Sequence, residues 1–86
     1  MPEICRFYGI VIKIFFDDHN PPHFHAEYAG DDVAIDIRNL TVISGKIQPR
    51  ALGLIMEWAI LHRAELLELW KDAREQHPLK KIEPLK

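Results

Sequence analysis

Apolar residues recur at every second position through the first half of the chain, and this alternation sets most of the expected fold. Ile10, Ile12, Ile14 and Phe16 alternate with Val11, Lys13 and Phe15, a β-branched pattern that predicts a largely buried strand over residues 10–16. An extended piece from Ile4 to Tyr8 precedes it, with Gly9 expected as a bulge or bend between the two. The strand ends at Asp17-Asp18-His19-Asn20-Pro21-Pro22, where two prolines exclude helix and ladder pairing and stiffen the connection. Beyond them, Phe24, Ala26 and Tyr28 point one way and His23, His25 and Glu27 the other. Val33 to Arg38 alternates likewise, with Val33, Ile35 and Ile37 opposite Ala34, Asp36 and Arg38. A two-residue loop at Gly30-Asp31 would pair Tyr28 with Val33, Ala26 with Ile35 and Phe24 with Ile37 on the apolar side. On the polar side it would pair Glu27 with Ala34, His25 with Asp36 and His23 with Arg38. A short strand from Leu40 to Ser44 closes the sheet portion before the turn at Gly45-Lys46.

The periodicity then changes to that of a helix. Pro49 suits a first helical position, and Ala51 to Ala73 holds good helix formers interrupted only by Gly53. Leu52, Ile55, Ala59, His62, Leu66, Leu69 and Ala73 make one seam at three-and-four spacing, with Met56 and Trp70 beside it. A single rod from Pro49 to Gln76 would span about 42 Å, longer than so small a domain can cover. Either the helix bends or splits near His62-Arg63, or its overhang packs on a second copy to give a homodimer. Leu79, Ile82 and Leu85 recur at spacing three in the Pro-punctuated tail, which reads as a docking strap or a frayed end. The expected fold is therefore α+β: an antiparallel sheet of three or four strands packed by a long or bent C-terminal helix. That helix should cover the face of Phe24, Ala26, Tyr28, Val33, Ile35 and Ile37, leaving the histidines facing away from it.

Size and charge narrow the function. The 86 residues, 48% hydrophobic, suit one domain, β-rich over residues 1–45, helical over 46–77 and extended over 78–86. Residues 1–45 carry three Lys/Arg against seven Asp/Glu, and residues 46–86 eight against six, so neither half is a strongly basic nucleic-acid footprint. No basic leader or cleavage site is visible at Met1-Pro2-Glu3-Ile4-Cys5, and no apolar run is long enough to span a bilayer. The lone Cys5 cannot form an intrachain disulfide and reads as a small buried hydrophobe. A cytoplasmic protein that does not cross the membrane is expected.

The chemistry concentrates in His19-Asn20-Pro21-Pro22-His23-Phe24-His25. His23 and His25 leave the same strand face with Cα atoms roughly 6.5–7 Å apart, a separation from which two imidazoles reach one ion. With His19 they form a candidate set for a divalent metal such as zinc; Glu27, Asp17 and Asp18 are the other neighbours able to supply a third ligand. Asp36, if opposite His25, would fix its tautomer. The same residues also suit metal-free acid–base chemistry, with His23 and His25 exchanging protons, Asp36 orienting them, and Arg38 or Lys13 holding a phosphate. Glu27 belongs to that ligand-binding face. A solvated polar face would show the same alternation, and His62 on the helix seam reads most simply as a core or hinge histidine.

Several segments together resemble one known family: Arg6-Phe7-Tyr8-Gly9-Ile10, Phe16 to Tyr28, Glu57-Trp58-Ala59, Leu61-His62-Arg63 and Pro78 to Leu85. The chain is similar along essentially its whole length to the small bacterial domain of unknown function four-one-six-zero. The positions shared with it are His19, Pro21, Pro22, His23, His25, Glu27, Trp58, His62 and Arg63, and no known role travels with them. The resemblance implies a bacterial single-domain protein from a compact two-gene module, with a small protein partner encoded nearby as in toxin–antitoxin pairs. The leading expectation is a toxin-like component acting on RNA or another phosphate-bearing partner through His23 and His25. A metal-binding regulatory module and a non-catalytic antitoxin or adaptor are the alternatives.

Overall fold

The computed structural model describes residues 3–86, so Met1 and Pro2, which belong to the N-terminal reading above, lie outside the described residues. Five strands come first, β1 (Glu3–Phe7), β2 (Ile10–Lys13), β3 (His23–Tyr28), β4 (Asp31–Asp36) and β5 (Val42–Gly45), then two helices, α1 (Pro49–Leu61) and α2 (Arg63–Arg74). The strands pair antiparallel in chain order, giving an α+β fold with five strands rather than three or four. The additional strand arises at Tyr8-Gly9. Both residues have positive φ, 50° and 80°, and Phe7 pairs with Ile10 across them, so this is a tight hairpin turn and not a bulge within one strand.

The second hairpin corrects the expected register. Its turn is Ala29-Gly30, with φ of 51° and 85°, and not Gly30-Asp31. A turn with two left-handed residues favours glycine at its second position, and placing Gly30 there frees Asp31 to pair with Tyr28. Each pairing therefore slides by two residues: Ala26 meets Val33, Phe24 meets Ile35, His25 meets Ala34, and His23 meets Asp36. A slip of two preserves the faces, because side chains alternate with a period of two.

One apolar face carries Ile10, Ile12, Phe24, Ala26, Val33 and Ile35, with Ile14 and Ile37 just beyond the strand ends, all 2% exposed or less. The helix seam lies against it: Trp58, fully buried, meets Phe24 edge-on at 6.0 Å and lies tilted against Phe7 at 5.6 Å. The tail is a strap. Ile82 donates its N–H to the Ile4 carbonyl at 2.9 Å, Trp58 Nε1 donates to the Glu83 carbonyl at 2.8 Å, and the Ile82 side chain is buried. Burying that one side chain contributes about 1.5–3 kcal/mol, which sets the strap apart from a frayed end.

The long helical pattern breaks at His62. The chain measures 33 × 25 × 23 Å, so an unbroken rod would have left its last turns without a core to cover. At the break the His62 N–H reaches back to the Ala59 carbonyl at 3.2 Å while its own carbonyl accepts from Leu66 at 2.9 Å. Its ring lies tilted against Trp58 at 5.5 Å, and Nδ1 meets Glu65 Oε1 at 2.6 Å. His62 is thus the hinge between α1 and α2. Because of the break, α2 turns toward the start of β3 and places Trp70 against His23, so that histidine does not face away from the helices as the periodicity suggested. Among the described residues, no helix is long and apolar enough to cross a membrane.

Candidate metal centre

The loop between β2 and β3 folds back over the start of β3, and its two prolines anchor it through their carbonyls. Pro22 accepts from the Ile37 N–H at 2.9 Å, continuing the β3–β4 ladder beyond its last pair. Pro21 accepts from His23 Nδ1 at 2.8 Å. This brings Asp18, three residues before Pro21, over the two imidazoles. Its Oδ2 lies 2.8 Å from His25 Nε2 and 3.2 Å from His23 Nε2, so one carboxylate oxygen meets both rings.

The rings are held on their flanks as well. Phe15 meets His25 edge-on at 4.6 Å, His25 meets His23 at 5.0 Å, and His23 lies against Trp70 at 5.1 Å. The Arg74 guanidinium then sits over Trp70 at 5.9 Å, within cation–π range. The imidazole side chains keep 13% and 23% of their surface exposed, enough for access and too little for free rotation.

Geometry assigns the tautomer of His23. With Nδ1–H donating to the Pro21 carbonyl, a neutral ring presents its Nε2 lone pair to the Asp18 carboxylate, and two acceptors face each other. Either a proton or a cation between them resolves that contact. A backbone carbonyl engaging the far nitrogen is the usual arrangement for a histidine metal ligand. The spacing fits too. Donors about 2.0–2.1 Å from a first-row ion stand about 2.9–3.4 Å apart in octahedral or tetrahedral geometry, close to the 2.8 and 3.2 Å found here. Asp18, His23 and His25 all bring a donor atom within 4.8 Å of one another.

The expected site residues therefore separate. His23 and His25 come together as read from the strand period, whereas His19 is exposed on the neighbouring loop surface and Asp18 takes the third position. Asp36 is buried, but its Oδ1 accepts the N–H groups of Arg38 at 2.8 Å and Asn39 at 2.9 Å, so it ties the turn between β4 and β5. The carboxylate that meets His25 is Asp18. Lys13 pairs with Glu27 at 2.8 Å on the same sheet face, and Arg38 lies exposed past the end of β4. Sequence reading did not foresee the roles of Phe15, Trp70 and Arg74; an aromatic on a helix seam carries no sign that its far edge will meet a histidine. A second grouping, Asp72, Glu75 and His77, lies at the C-terminal end of α2 and is mostly exposed.

A five-stranded antiparallel sheet, a hinged helix pair and a two-histidine, one-carboxylate cluster define a small α+β protein with a candidate metal centre. The chain belongs to the family described as Domain of unknown function (DUF4160), which matches residues 9–71 and so contains all three cluster residues but not the C-terminal strap. No curated protein and no solved structure matches the chain.

Proposed function

We propose that this protein is a cytoplasmic metal-binding regulatory module whose ion is held by Asp18, His23 and His25. The observation that carries this reading is the convergence of both Nε2 atoms on Asp18 Oδ2 while Pro21 engages the far nitrogen of His23. Two nitrogens and one oxygen suit zinc or a neighbouring first-row ion, and three protein ligands leave room for a water or a ligand. Metal-free cleavage of a phosphodiester by the two histidines, the toxin-like reading, finds less support. Both rings already engage one Asp18 oxygen, Lys13 is paired with Glu27, and Arg38 stands apart.

The test is metal analysis of untagged protein, together with melting curves on adding zinc. The expected result is about one ion per chain and a clear rise in melting temperature, both lost in the His23→Ala/His25→Ala variant. Sub-stoichiometric metal and no thermal shift in the unaltered protein would overturn the reading.

A further inference from the structure

Beside the centre, a groove of about 580 Å³ opens onto Asp18, lined by Phe16, Asp17, His19, Asn20, Arg74 and Gln76. We propose that this groove receives a phosphate monoester of mononucleotide size, with its phosphate shared between the metal and Arg74. The inference rests on the metal reading above and extends it to a class of ligand.

Three observations support it. First, Arg74, though exposed, has an aromatic neighbour that links it to the centre. Its guanidinium carbon lies 5.9 Å from the centre of the Trp70 ring, and Trp70 lies against His23, so the residue that packs against a ligand imidazole also neighbours the guanidinium. A cation–π contact leaves the donor fork of the guanidinium free for phosphate or carboxylate oxygens. Second, Asn20 and Gln76, both exposed, add neutral amide groups to the same wall. Third, the charges make anion binding conditional. Asp17 and Asp18 outweigh Arg74, so the groove is net negative without the ion and net positive with a divalent one. The volume is that of a small-molecule site, and a net charge of −2 on the whole chain gives no basic track for a long polyanion.

Calorimetric titration of the zinc-loaded full chain with inorganic phosphate and with a 5′-mononucleotide tests the proposal, using cobalt substitution to follow the coordination sphere. Both ligands should bind, both should shift the cobalt spectrum, and neither should bind the metal-free protein. Arg74→Ala should bind zinc as the unaltered protein does but weaken the mononucleotide by about tenfold or more, with Arg74→Lys in between. Unchanged mononucleotide affinity in Arg74→Ala, or equal affinity with and without zinc, overturns the anion site and leaves the metal centre standing. A failure of the unaltered protein to bind zinc overturns both. An RNA oligomer with blocked ends binding as tightly as the mononucleotide would overturn the monoester assignment in favour of internal phosphodiesters.

Discussion

Replacing Asp18 by asparagine keeps the shape of the side chain and removes its charge, which isolates its role as a ligand. The oxygen at 2.8 and 3.2 Å from the two imidazoles would supply one of three protein contacts to the ion. Apparent zinc-binding free energies in four-ligand sites run about 10–16 kcal/mol, or about 2.5–4 kcal/mol per ligand. At about 1.4 kcal/mol per decade, losing one charged ligand should weaken binding by about a hundred- to a thousandfold. At a zinc concentration about 100 times the dissociation constant, the unaltered protein gains about 2.7 kcal/mol, a rise in melting temperature of about 10–20 °C for a domain this size. Asp18→Asn at the same concentration should gain less than about 0.5 kcal/mol and rise by no more than about 4 °C. His19→Ala, altering an exposed residue outside the cluster, should keep the full shift. Differential scanning fluorimetry with a zinc series reads all three. If Asp18→Asn kept the shift and His19→Ala lost it, the ligand set would be His19, His23 and His25, and Asp18 would have no part in holding the ion.

Other substitutions separate structural from functional groups. Asp36→Ala removes the acceptor for two backbone N–H groups and should cost about 1–2 kcal/mol in urea unfolding, with zinc affinity unchanged and Asp36→Asn recovering most of the loss; a fall in zinc affinity would return Asp36 to the site. Burial pushes the Cys5 thiol up from its ordinary range, so alkylation by iodoacetamide in the folded protein should be far slower than in denaturant. Because the folded value is the raised one, the stability it represents is intact below the ordinary thiol range and declines as pH rises past it. Cys5→Ala should remove that alkaline decline, and an unaltered decline in the variant would assign it to other groups.

The face shared by His23 and His25 followed from a period of two and survived a two-residue shift in register, since such a shift cannot exchange faces. The pairing partner of each histidine did not survive, because it depended on which of two adjacent dipeptides formed the turn. The seam from Ile55 to Ala73 was readable as helix, with its weak point near His62 marked by length alone. Asp18 stood among the acidic neighbours of the histidines, without anything in its local sequence to distinguish it from Asp17.

Local periodicity and backbone sterics act over a few residues, so the sequence alone was enough to settle the strand faces, the proline-stiffened loop, the helical seam and the α+β class. Which groups meet across a loop, a hinge or a strap answers to packing of the whole chain, and these contacts were settled only on folding. The fold-back of the loop put Asp18 over both imidazoles, the hinge at His62 carried Trp70 to His23, and the strap at Ile82 covered β1. The candidate centre draws on both: two ligands spaced by the pleat of a strand, and a third delivered by a loop whose path the rest of the molecule decides.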